Sequence, residues 1–230
     1  MENKNIRNII IDTDGVIFTL DIANALKKSF PDLDTQGINI IAESILEDDT
    51  HIAYSKGELS LEEASERISE NLNIKHENLN CTKDSIIQLI EKTNVQVTEG
   101  IWELLEKLKA KGVNLYLLPK TGLDLVKRYK KEFPEINEIF GDNIISTAQL
   151  KQIDNKEMYI EFFKFTNLDP KESLIVEDEK ELIKYAKSTN ASAIEFTNIK
   201  NLEEKLQEMQ LIDGPYVSQY KERESVSQYR

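Results

Sequence analysis

Cysteine is nearly absent. Cys81 stands alone in 230 residues, so no internal disulfide can form, which points to a reducing compartment. Histidine occurs twice, at His51 and His76, and without a cysteine cluster this argues against a zinc site. Eight glycines and five prolines are too few for a collagen-like or low-complexity chain. Positive charge is short too: 29 Lys and Arg face 42 Asp and Glu, a formal net charge of −13. Such a chain repels phosphate backbones and anionic bilayers, which speaks against nucleic-acid and membrane partners. No run of about 20 apolar residues occurs and no apolar signal segment follows Met1–Arg7, so the expected setting is the cytoplasm. Asn80-Cys81-Thr82 and Asn190-Ala191-Ser192 are then chance matches to a glycosylation sequon.

What remains is 40% hydrophobic and 31% charged, the make-up of one globular domain with an insertion, or of two small domains. Asn8–Asp12 is a β-branched run of the kind that parallel sheets bury on both faces. Similar runs recur at Val113–Leu118, Asn143–Ile145, Ser173–Val176 and Ala193–Phe196. Amphipathic patterns lie between them. Ile101, Leu104, Leu105 and Leu108 keep helical spacing, with Gly112 just past the helix end. Asp154 and Glu157 form a capping pair for a helix to about Thr166. Further helices are predicted over Glu179–Thr189 and Asn201–Met209. The alternation calls for an open, mostly parallel, Rossmann-like α/β sheet.

The first strand breaks this alternation. From Thr19 to Thr93 only helical patterns appear, over Leu20–Phe30, Thr35–Leu46, Ser60–Leu72 and Thr82–Lys92, with Ser60 and Glu63 as a capping box. The division expected is therefore an α/β core of residues 1–18 and 94–212, an all-helical insertion of residues 19–93, and a loose polar tail over 213–230.

Asp12-Thr13-Asp14-Gly15 is the sharpest chemical feature. It sits at the C-terminal end of the first strand, where open α/β sheets bind ligands. Two carboxylates this close repel unless a cation or shared proton compensates, and the glycine lets backbone approach a ligand. A nucleophilic aspartate, an acid/base aspartate and a magnesium ion fit this pattern. A strand-end cap or turn is the alternative. Cys81 has no base nearby in sequence that would make it a nucleophile.

Ile9–Ile17 resembles the first motif of the haloacid dehalogenase (HAD) superfamily of phosphohydrolases. Thr98–Gly112 is similar to the helix before that family's second motif, and Asn167–Asp178 to the approach to its fourth. The helical insertion corresponds to the family's type I cap. The resemblance implies that Asp12 attacks phosphorus to form an aspartyl-phosphate, and that Asp14 acts as acid and then base while its carbonyl helps hold magnesium. An aspartate at the position of Asp14 marks phosphatase-like members rather than haloalkanoate dehalogenases.

Two motifs depart from the pattern. Pro119 stands where the family has a hydroxyl donor, and offers neither hydroxyl nor N–H; Thr121 is the expected substitute, with Lys120 as an alternative and a solvated lysine and helix cap as the plain reading. Ile153 occupies the register of the family's phosphoryl-neutralising lysine; Lys151, two residues earlier, is the expected replacement, ahead of Lys156. At the fourth motif Glu177 and Asp178 are the expected metal ligands, with Asp178 the safer of the two.

Residues 20–93 hold 15 Asp or Glu against 7 Lys or Arg. Such a lid disfavours polyphosphates and suits a small, weakly charged or cationic leaving group. Tyr54, Lys56 and Phe18 are candidate entrance residues, with a core role also open to Phe18, and Trp102 reads as packing. The expected activity is magnesium-dependent hydrolysis of a small phosphorylated metabolite. The alternative is a catalytically impaired binding or regulatory protein. A phosphoacceptor receiver domain fits poorly, because receivers are compact and about half this length. Nothing in the sequence sets an oligomeric state.

Overall fold

The structure, a computed structural model, describes residues 5–46, 49–76, 79–92 and 95–213. The chain runs from β1 (Asn8–Asp12) through β2 (Phe18–Leu20) into the helices α1 (Ile22–Ser29), α2 (Thr35–Leu46), α3 (Asp49–Ser55), α4 (Leu61–Lys75) and α5 (Lys83–Lys92), and returns by β3 (Val95–Val97). It continues through α6 (Ile101–Ala110), β4 (Asn114–Leu118), α7 (Leu123–Glu132), α8 (Pro134–Phe140), α9 (Thr147–Leu150) and α10 (Lys156–Thr166). β5 (Ser173–Glu177), α11 (Lys180–Ser188), β6 (Ser192–Glu195) and α12 (Ile199–Glu208) complete it.

The sheet order is β4-β1-β5-β6, parallel throughout. β1 is central, and its side chains alternate between faces. Ile9 and Ile11 join a core cluster with Leu104, Leu108, Ile136 and Leu206. Ile10 points the other way, to Met158, Phe162 and Leu182. Both faces of the strand are therefore covered by helices, which is why its sequence is apolar without a break.

Several sequence expectations shift. Asn143–Ile145 is not a full strand: Ile144 makes one bridge to Leu117, because Ser146 at once starts the α9 capping box with Gln149 and turns the chain out of the ladder. The cap of α10 is Asn155, whose side chain accepts the Met158 amide at 2.9 Å, while Asp154 takes the left-handed conformation before it. The helix α3 was not expected, and neither was the antiparallel ribbon of β2 with β3, since strands of three residues show no readable alternation. The boundary expected near Thr93 and the tail beyond Asp213 lie outside the described residues.

That ribbon is the stem by which the helical insertion leaves the sheet. Phe18 anchors it: the side chain is fully buried, with ring centroids 4.6 Å from Phe133, 5.0 Å from Tyr129 and 6.2 Å from Trp102. Phe18 is thus core, and truncating such a residue costs about 3–5 kcal/mol. The insertion carries its own cluster, centred on Leu26, Ile41, Ile68, Leu72 and Ile86. It meets the rest of the chain where Thr147 Oγ1 donates to the Ser55 carbonyl at 2.8 Å. No helix among the described residues is long and apolar enough to cross a membrane.

Candidate active site

β1, β4 and β5 end side by side, so their following loops share one crevice. After Asp12 the chain turns tightly, with the Ile17 and Phe18 amides both donating to the Thr13 carbonyl at 2.9 Å. Gly15 has φ +80°, and a Cβ there would lie 2.1 Å from Asp178 Oδ2. Glycine is required twice over, for the backbone conformation and for the carboxylate from β5 that rests on it.

Asp12 is 4% exposed. Its Oδ1 accepts the Thr13 amide at 2.8 Å, and its Oδ2 lies 3.2 Å from Lys120 Nζ. Lys120 follows β4 by two residues, its side chain only 11% exposed, and also reaches Glu177 Oε1 at 3.3 Å and Glu179 Oε1 at 2.7 Å. Glu177 is fully engaged. Its Oε1 takes the Asp178 and Glu179 amides at 3.1 and 3.3 Å, and its Oε2 accepts the Tyr159 hydroxyl at 3.2 Å.

Burial dominates the protonation of this cluster. It raises Asp12, with Lys120 opposing and Asp14 and Asp178 adding repulsion. Asp14 is pushed up to about 6, by burial first, with Lys120 pulling the other way. Glu177 rises for the same first reason, then through repulsion from Asp12. Burial alone would lower the Lys120 ammonium, but Asp12, Glu177 and Glu179 outweigh it, so the net shift is upward and the lysine stays charged. The Tyr129 hydroxyl beside Asp14 pulls the Asp14 shift back downward, while burial and the Asp14 charge push the phenol itself upward.

One lysine does not satisfy so many carboxylates. Asp12 Oδ2, Asp14 Oδ1 and Asp178 Oδ1 are buried and accept no hydrogen bond of good geometry. Oxygens of Asp12, Glu177 and Asp178 lie within 4.8 Å of one another. Orphaned carboxylate oxygens are costly unless a cation completes them. An all-oxygen set of this kind fits a hard divalent ion such as Mg²⁺.

A family model described as haloacid dehalogenase-like hydrolase matches residues 6–188. The chain belongs to that family. Among solved structures, a predicted HAD-like hydrolase from Porphyromonas gingivalis is similar at a TM-score of 0.69 and 17% identity, covering 90% of this chain and 98% of that one. A HAD family enzyme from Bacteroides thetaiotaomicron, in complex with magnesium and inorganic phosphate, is similar at 0.64 and 20%, covering 84% and 96%. L-2-haloacid dehalogenase from Xanthobacter autotrophicus is similar at 0.63 and 15%, covering 88% and 83%. No curated protein matches.

In this HAD-like hydrolase the sequence-predicted residues separate into two groups. Asp12, Asp14, Glu177 and Asp178 come together at the crevice. Thr121 is buried and lines the cavity that Asp14 and Lys120 also line. Lys151 does not join them. It ends α9 in the left-handed conformation, and its Nζ donates to the Gly57 carbonyl of the insertion at 3.1 Å. Lys120 takes the place expected of Lys151 beside the carboxylates. The reason is reach: a lysine stem starting two residues past the strand next to β1 arrives as readily as one from a later loop. Sequence reasoning also missed Tyr129 and Tyr159. Both are tyrosines on the buried stripes of amphipathic helices, and a hydroxyl placed there must find a buried partner.

Proposed function

We propose that this HAD-like hydrolase cleaves phosphate monoesters of a small cytoplasmic metabolite with Mg²⁺, through an aspartyl-phosphate on Asp12, with the insertion of residues 19–93 as its cap. One observation carries the reading: the Asp12 carboxylate stands 3.2 Å from a largely buried ammonium, next to an acid of intermediate strength, Asp14. The magnesium and phosphate bound to the B. thetaiotaomicron relative are in keeping with it. Asp12 and Asp178, each with an oxygen that accepts no well-formed hydrogen bond, and the Asp14 carbonyl would hold the ion; Glu177, whose two oxygens accept amide and hydroxyl donors, instead anchors Lys120. When bound, the ion offsets phosphoryl charge and keeps Asp12 ionised.

An oxygen of Asp12 attacks phosphorus while the bond to the ester oxygen breaks. Asp14 gives its proton to that oxygen, releasing an alcohol. The Asp14 carboxylate then takes a proton from water, whose oxygen attacks the same phosphorus and frees Asp12 and inorganic phosphate. A group pushed up to about 6 is suited to both transfers near neutrality. Lys120, 3.2 Å from Asp12, neutralises non-bridging oxygens, the role the family resemblance gave to a later lysine. Tyr129 holds Asp14.

Phosphate release from p-nitrophenyl phosphate with Mg²⁺, lost in Asp12→Asn, is the expected result. A wild-type protein that releases nothing across a broad panel of monoesters overturns the reading. Pro119 favours a second one, of a protein that binds phosphate without turnover. In that case Pro119→Ser with Ile153→Lys would gain activity that the wild type lacks.

A further inference from the structure

The crevice does not end at the carboxylates. A cavity of about 160 Å³ continues from Asp14, Lys120 and Thr121 into the helical insertion. Its walls are Ile22, Ile45, Leu61 and Ile68 from the insertion, closed from the core side by Leu125 and Tyr129. Among the described residues that line it, Asp14 is the only acid. Of the other polar groups in its wall, Arg128 donates to Glu132 at 2.8 Å and to the Ile90 carbonyl, His51 has an interaction of its own, and the buried Tyr54 hydroxyl is left without a hydrogen-bond partner among the described residues. Tyr54, 4% exposed, packs its ring on Gly122 so closely that a Cβ there would lie 2.5 Å away.

We propose that this cavity holds the leaving group, and that the substrate is the phosphate monoester of a compact apolar alcohol about the size of a benzene ring. The proposal rests on the phosphatase reading, because Asp14 protonates the ester oxygen and so fixes where the alcohol lies. From that point the space opens onto aliphatic walls. An apolar cavity of about 150 Å³ takes up benzene. A sugar or glycerol hydroxyl placed there would lose its water and find few free partners.

Calorimetry with Mg²⁺ present compares benzylphosphonate with methylphosphonate, two non-hydrolysable ligands sharing the same anionic head. Burying the ring should tighten binding about 10–100-fold. Leu61→Asp adds charge at the first position of α4, where an acid suits the helix start, and should bring the two affinities within about threefold. Ala42→Leu fills the cavity without charge and should lower affinity for benzylphosphonate more than for methylphosphonate. In a parallel assay the wild type should prefer benzyl phosphate to glycerol 3-phosphate in kcat/KM. Equal affinity for the two phosphonates, or a preference for glycerol 3-phosphate, overturns the substrate class and leaves the phosphatase reading standing. Absence of both binding and hydrolysis overturns the two together.

Discussion

The floor and the roof of one crevice are built on opposite principles. The floor, at the ends of β1, β4 and β5, packs Asp12, Asp14, Glu177 and Asp178 around one largely buried lysine among the described residues. The roof, from the insertion, presents aliphatic side chains although its residues carry 15 acids against 7 bases. None of the described roof residues lining the cavity is Asp or Glu, so the excess charge is not what the cavity presents. The cationic half of the expected leaving group finds no acid of the insertion in this lining, while a small, uncharged one suits the aliphatic walls. Net charge describes the outside of a subdomain, and the lining describes what enters it.

The sharpest way to break this contrast is at the one cation of the floor. Lys120→Met should lower kcat about 10²–10³-fold, as removal of a donor aimed at developing charge does. Lys151→Met should change kcat by less than about twofold, since an exposed lysine on a backbone carbonyl contributes little. Steady-state kinetics of the pair decides which lysine serves the site, and the reverse pattern would return that role to Lys151.

Gly15→Ala is the next largest. The left-handed conformation and the 2.1 Å approach to Asp178 force that carboxylate aside, and Mg²⁺ affinity should fall about 10–100-fold. Titration calorimetry on the folded variant, checked by circular dichroism, reads this directly. Unchanged affinity would remove Asp178 from the metal site.

The floor should also set the response to pH. Asp12, Asp14 and Glu177 all lie above ordinary carboxylate values. A raised carboxylate stabilises the fold fully below its unfolded value near 4, and that contribution is lost as pH rises through the folded value, about 6 for Asp14 and higher for the Asp12–Glu177 pair. Metal-free protein should therefore show a falling Tm from about pH 5 to about pH 8, and Mg²⁺ should raise Tm more at the alkaline end. A metal-free Tm that climbs over this interval would contradict the buried-carboxylate account.

The roof gives the smallest effect. Ser60 caps α4 reciprocally with Glu63, and Ser60→Ala should cost about 1 kcal/mol. Thermal unfolding should register it while kcat stays near the wild-type value. A large loss of kcat would mean that the roof takes part in the chemistry rather than only enclosing it.

Much of the fold was legible because its signals are local. The unbroken Asn8–Asp12 run, the spacing of Ile101, Leu104, Leu105 and Leu108, and the Ser60–Glu63 box each lie within a few residues and map onto β1, α6 and α4. The β2–β3 ribbon escaped because strands of three residues carry no period, and its pairing joins Phe18 to Val97 across the whole insertion. At the site, Asp12, Asp14 and Gly15 were readable as consecutive residues at a strand end. Lys120 was not chosen, because its partners Asp12 and Glu177 are 108 and 57 positions away.

The sequence by itself determined the alternating elements, the place of the insertion and the acidic strand ends, since periodicity and strand-end chemistry are properties of neighbours along the chain. Only the tertiary structure decided which lysine meets those acids, which carboxylate oxygens stay unpaired, and which face of the acidic insertion turns inward. Those are questions of distance between strands and of orientation about helix axes. A long side chain or an amphipathic helix leaves them open until the sheet order and the packing are set.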